Sequence, residues 1–163
     1  MLDSIDANPR YVHPGWFTTH VFNRLVRRLT RIGISIRGSA ELRIRGRSSG
    51  QWRSTVVNLL DHEDRRFLVA PRGTTQWVRN LRAAGGGELR VGRRTEAFRA
   101  LELNDSEKEA VLRDYLRHWK WEVGQFFQGV GPDAPPAEIA RLAPGYPVFA
   151  IEMVADGLGD TVG

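Results

Sequence analysis

Apolar positions change their period along this chain. Between 16 and 32 they fall at Phe17, Val21, Phe22, Leu25, Leu29 and Ile32. That is helical spacing, with Arg24, Arg27, Arg28 and Arg31 mostly elsewhere on the surface and Gly33 as a stop. From Ala40 to Leu103 the pattern shortens to strands at Leu42–Arg45, Arg53–Leu60, Phe67–Ala70, Glu88–Gly92 and Glu96–Leu103. Ser49-Gly50 joins the first two as a hairpin, Asp61-His62-Glu63-Asp64 is a charged turn, and Arg93-Arg94 turns between the last two. In that charged turn His62 is expected to be solvated. A helix over Thr75–Ala84 interrupts the strands, with Trp77, Val78 and Leu81 on one face and Gly85-Gly86-Gly87 closing it. Ser106-Glu107-Lys108-Glu109 reads as a capping box. The helix it opens carries Val111, Leu112, Tyr115, Leu116 and Trp119 on one side. Residues 123–147, rich in glycine and proline, read as irregular, and a last strand spans Val148–Val154.

Six short strands, mostly joined by tight connections, favour a mainly β (α+β) fold: a small antiparallel barrel with flanking helices. Residues 1–14 read as a loose N-terminal arm, 15–155 as a single domain and 156–163 as a flexible glycine-rich tail. The 163 residues are enough for one hydrophobic core, and 41% hydrophobic with 26% charged residues is ordinary for a globular domain. No apolar run is long enough to cross a bilayer, and no secretory signal opens the sequence. Cysteine is absent, which excludes disulfides, thiolate metal sites and cysteine nucleophiles. These features lead to the expectation of a cytoplasmic protein.

The net charge is +5, and nearly all of the basic residues are arginine; Lys108 and Lys120 are the only lysines. Arginine suits bidentate contact with phosphate or carboxylate. Three arginines, Arg45, Arg47 and Arg53, bracket the glycine-bearing turn Gly46-Arg47-Ser48-Ser49-Gly50-Gln51-Trp52. A second basic turn, Arg72-Gly73-Thr74, precedes the helix with Trp77-Val78-Arg79-Asn80-Leu81. Two such turns can present N–H groups and guanidinium groups to one polyanion, although the first also reads as a solvated hairpin tip. Trp77 reads either as core or as a cofactor wall. Asn80, one turn on, is unfavourable within a helix unless its amide finds a partner.

These two segments at this spacing resemble the deazaflavin-dependent nitroreductase family of actinobacteria, whose signature is a G-R-x-S-G-x-x-R turn followed by a W-x-x-N-L helix. The resemblance covers residues 40–103 well and the flanks loosely. It implies an FMN-binding split-barrel-like fold, a six-stranded split β-barrel, and the 8-hydroxy-5-deazaflavin coenzyme F420. Arg47, Ser49, Gly50 and Arg53 match the turn that holds the coenzyme's phosphate and acidic tail. Arg72, Gly73, Trp77 and Asn80 match the segment beside the deazaflavin ring. Ser48 stands where relatives commonly have lysine, with Arg45 or Arg43 available to compensate. The connection from Ala70 to Trp77 is shorter than in the best-known members. The implied reaction is hydride transfer from reduced coenzyme to a planar electron-poor acceptor, such as a quinone, a nitroaromatic or a conjugated enone.

A tyrosine-rich segment lining the substrate pocket in some relatives is replaced here by Trp119, Trp121, Phe126 and Phe127. These aromatics read either as core or as a pocket wall, and Gly124, Gly129 and Gly131 would let the stretch act as a lid. Tyr115 and Tyr146 are the candidate proton sources. His13, His20, His62 and His118 lack metal-ligand spacing, so no metal is expected. The segment 16–32 either packs over the barrel mouth, beside a small-molecule substrate, or lies on an anionic membrane surface. FMN in place of F420 and a non-enzymatic F420 carrier remain alternatives. A nucleic-acid-binding barrel is disfavoured, because stacking aromatics do not interleave with the strand arginines.

Overall fold

The computed structural model describes residues 39–154. The expected N-terminal arm, the amphipathic segment 16–32 and the glycine-rich tail lie outside the described residues. Nine elements follow in chain order among them: β1 (Ser39–Arg45), β2 (Trp52–His62), β3 (Arg65–Val69), α1 (Gln76–Ala84), β4 (Gly86–Val91), β5 (Arg94–Glu102), α2 (Glu109–Val123), α3 (Pro136–Leu142) and β6 (Val148–Met153). The strands close a barrel in the order β1-β2-β3-β6-β5-β4, with β4 pairing back onto β1 and every pairing antiparallel. This is the six-stranded barrel with flanking helices that the strand pattern predicts.

Alternation along each strand sorts the side chains into two cores. Ala40, Leu42 and Ile44 of β1, Val57 of β2, Leu89 of β4 and Phe98 of β5 fill the barrel interior. In β3 and β6 both faces are buried. Leu68, Phe149 and Ile151 join the interior, whereas Phe67, Val69, Val148 and Ala150 meet the helices outside. Double burial explains why these two strands read as continuous apolar runs. The outer core is completed by Leu112, Tyr115, Leu116, Trp119 and Val123 of α2, by Ile139 and Leu142 of α3, and by Phe127 and Tyr146.

Polar side chains fasten this outer layer. Arg113 donates through Nη1 to the carbonyls of Pro132 and Ala134 at 2.6 and 2.9 Å, and through Nη2 to Glu109 at 2.6 Å. Lys108, buried at 4% exposure, reaches the Ala143 carbonyl at 3.0 Å and Asp105 at 2.7 Å. His62 is not solvated in a turn. It ends β2, is half-buried, and places Nδ1 2.9 Å from Oδ2 of Asp114 on α2.

Other boundaries also differ from the expectations. The turn after β2 is only Glu63-Asp64, both with positive φ (47° and 60°). Of the three glycines after α1, only Gly85 (φ 71°) caps the helix, donating its N–H to Leu81. Gly86 and Gly87 belong to β4, where a Cβ would collide with the carbonyl oxygens of Phe98 and Arg43. The capping box does not form: Ser106 lies in a 3₁₀ turn over Asp105–Glu107, and α2 starts at Glu109 with Lys108 at its N-cap. The preceding turn is shaped by the buried Lys108 ammonium instead. The segment 123–147 is not wholly irregular, because Pro136 begins α3; proline at the first helical position starts a helix as readily as it stops one.

Candidate anion-binding site at one end of the barrel

Strand β1 ends and β2 begins at a turn whose backbone is closed by hydrogen bonds from Gly46 N–H to Gln51 O and from Gly50 N–H to Gly46 O, both 2.8 Å. Gly50 sits at φ 68°, a conformation that glycine adopts without a Cβ penalty. Ser49 Oγ accepts from Gln51 N–H at 3.2 Å. Helix α1 packs on β1 and β4 and sends Val78 and Leu81 into the barrel core at this same end.

The turn is tied to α1 through one side chain. Oδ1 of Asn80 accepts both the backbone N–H of Arg47 at 3.1 Å and its Nη1 at 2.8 Å. Oε1 of Gln76 accepts from Arg47 Nη2 at 2.9 Å. The partner that a mid-helix asparagine requires is therefore Arg47, and Asn80 is 6% exposed beneath it. Trp77 does something different: it is half-buried, with its ring 6.1 Å from that of Phe149, against the barrel core. Arg45 stacks over Trp52, 4.2 Å to the ring centroid, and donates to the Gly50 carbonyl at 3.0 Å. Arg53, the register partner of Ile44, is exposed at the barrel rim.

Ion pairing separates these arginines from five others. Arg43, Arg66, Arg82, Arg94 and Arg113 are ion-paired with Glu88, Asp61, Glu102, Glu96 and Glu109. Hydrogen bonds to Asp61 and Glu102 hold the Arg66 and Arg82 guanidiniums above their ordinary pKa. Among the described residues no carboxylate ion-pairs with Arg45, Arg47 or Arg53. Of the two residues available to replace the missing lysine at Ser48, Arg43 is neutralised by Glu88, whereas Arg45 keeps its charge.

The second basic turn leads directly into α1. Gly73 (φ 83°) is buried and donates to Ala70 O at 3.1 Å, Thr75 N–H donates to Gly73 O at 2.9 Å, and Arg72 is half-buried. Thr75 is the N-cap but makes no capping bond, and its buried Oγ1 has no hydrogen-bond partner among the described residues. Uncancelled guanidinium charge beside an uncapped helix N-terminus fits a negatively charged group. A groove of about 930 Å³ beside the β2–β3 turn and along β5 and β6, lined by Asp61, Arg65, Arg66, Arg99, Leu101 and Glu152 among others, has mixed charge.

The aromatic residues expected around a substrate pocket are not gathered here. Trp119 and Phe127 belong to the outer core, Phe126 is half-buried against it, and Trp121 is 76% exposed on α2. Phe127 stacks on Tyr146 with centroids 4.5 Å apart. Tyr115 and Tyr146 are each 1% exposed, and Tyr146 Oη donates to the Phe126 carbonyl. Just beyond the expected lid, Arg113 holds the carbonyls of Pro132 and Ala134. Gln76 escaped notice in the sequence; its signal was the i, i+4 spacing to Asn80, which puts both amides on one helix face.

Fold and site together define a small barrel protein with an arginine-bearing turn tied to the α1 end. The chain belongs to the F420H(2)-dependent quinone reductase family, whose model matches residues 18–125. It is an F420H2-dependent reductase, with coenzyme F420 as its cofactor. No curated protein matches it. Among solved structures it resembles a domain-swapped dimer at 17% identity and TM-score 0.53, covering 79% of this chain and 95% of the other. It also resembles an F420-H2 dependent reductase (FDR-A) at 18% identity and TM-score 0.51, covering 71% of this chain and 95% of that one. These likenesses establish the split-barrel fold. Among the described residues no helix is long and apolar enough to cross a membrane.

Proposed function

We propose that the α1 end of the barrel grips the anionic end of F420, and that the enzyme reduces a planar, electron-poor acceptor of the quinone type. Nitroaromatics and conjugated enones fall in the same chemical class. The observation that carries this reading is that Arg45, Arg47 and Arg53, on and beside the β1–β2 turn, have no carboxylate ion-pair partner among the described residues; the resemblance matches this turn to the coenzyme's phosphate. Arg47 and Arg53 bind the phosphoryl oxygens, the backbone N–H groups of Ser48 and Ser49 assist, and Arg72 and Gly73 flank the site from the second turn. Trp77, fixed against Phe149, limits where a flat ring can lie. Bound there, the reduced coenzyme supplies a hydride, while the protein contributes placement and electrostatics.

The test is quenching of protein fluorescence by oxidised F420, with Arg47→Ala and Arg53→Ala beside the wild type. A charge-assisted contact contributes about 1.5–3 kcal/mol, so each variant should bind at least about tenfold more weakly. Equal affinity in all three would remove the grip. Turnover with a benzoquinone, a nitroaromatic and an enone then ranks the acceptors.

A further inference from the structure

Five arginines of the described domain face carboxylates, whereas Arg47 faces two neutral amides. An amide oxygen orients a guanidinium without cancelling its charge; a carboxylate does both. Arg47 is exposed on a turn, where an arginine without partners samples many rotamers. Gln76 and Asn80 each take one hydrogen from a different Nη nitrogen, which defines the plane of the guanidinium. The remaining N–H bonds stay available to an anion. Ordering the side chain before the ligand arrives lowers the entropic cost of binding.

We infer that Gln76 is a positioning residue: with Asn80 it presents the Arg47 guanidinium, still fully charged and already oriented, to the anionic group of the coenzyme. The inference rests on the coenzyme reading above. It makes neutrality of the clamp, and not merely its shape, the property that matters. Gln76→Glu keeps size and reach but sets a carboxylate against Arg47. Gln76→Leu removes the contact and leaves the charge alone. A purely structural amide would be replaced better by glutamate than by leucine; a charge-preserving clamp reverses that order.

The experiment measures Kd for oxidised F420 by fluorescence quenching and for inorganic pyrophosphate by calorimetry, in wild type, Gln76→Glu, Gln76→Leu and Arg47→Ala. Gln76→Glu should weaken F420 binding by about tenfold or more and Gln76→Leu by about threefold. KM for the coenzyme should rise while kcat at saturation holds, the signature of lost uniform binding. Melting temperatures should stay within about 2 °C, because residue 76 is exposed. F420 following this order supports the proposal, whether or not pyrophosphate does. If Arg47→Ala weakens F420 but Gln76→Glu does not, or Gln76→Leu is the worse of the two, the positioning role is overturned and the coenzyme grip stands. If pyrophosphate follows the order while F420 binding ignores Arg47, the clamp stands and the coenzyme placement falls. If neither ligand distinguishes Arg47→Ala from wild type, both fall.

Discussion

Arg47 and Asn80, 33 residues apart in sequence, share a single oxygen: Asn80 Oδ1 accepts from both the main chain and the side chain of Arg47. The contact joins the β1–β2 turn to α1, so the two motifs that stand apart in the sequence become one site. Replacing Asn80 with leucine keeps the branched four-atom shape of the side chain but leaves the Arg47 N–H without its acceptor. The expected loss is about 1–3 kcal/mol of stability, together with weaker F420 binding. Thermal melts and coenzyme titration check both. Unchanged values in Asn80→Leu would show that the shared oxygen is incidental.

Gly87→Ala tests the barrel closure that holds β1 against β4. Its Cβ would meet the Arg43 carbonyl, which is backbone and has little room to move. Overpacking of this kind costs about 1–3 kcal/mol, occasionally more. Gly50→Ala meets nothing in space but forces alanine to φ 68°, at roughly 1–2 kcal/mol. Denaturant midpoints should place both below wild type, with coenzyme affinity also reduced in the Gly50 variant because the turn itself is displaced.

Tyr146→Phe separates a core tyrosine from a proton donor. Tyr146 is 1% exposed and its hydroxyl is satisfied by the Phe126 carbonyl. Removing the hydroxyl should lower stability by about 1 kcal/mol and leave kcat with a quinone within about twofold of wild type. A loss of kcat by a hundredfold would return this side chain to the chemistry.

Arg113→Met removes the staple between α2 and the loop carrying Pro132 and Ala134. Two carbonyls lose a charged donor, so the expected destabilisation is about 1–3 kcal/mol. Because the outer core is distinct from the arginine cluster, the Kd for F420 should not change. Hydrogen exchange would show the effect directly as faster amide exchange in residues 130–135.

Much of the barrel was legible because alternation is a local signal. The strand run of β1 and the doubly buried runs of β3 and β6 announced themselves through period and continuity. Boundaries were less legible where one residue type serves opposite ends. Pro136 opened a helix instead of ending one, and Gly86 and Gly87 entered a strand because neighbouring backbone passes too close for any Cβ. The aromatic residues in and after α2 stayed ambiguous for a similar reason. Trp119 and Phe127 have the composition of a pocket wall, and only packing against Tyr115, Tyr146 and α3 makes them core.

By itself the sequence determined the strand alternation, the two basic turns and the resemblance they carry, because each depends on residues near one another in the chain. Which arginines keep an uncancelled charge was decided only by the tertiary structure. Carboxylate partners such as Glu88 for Arg43 and Glu102 for Arg82 arrive from distant strands, and so do the neutral amides that hold Arg47. Ion pairing depends on distance in space, and the fold brings these groups within reach.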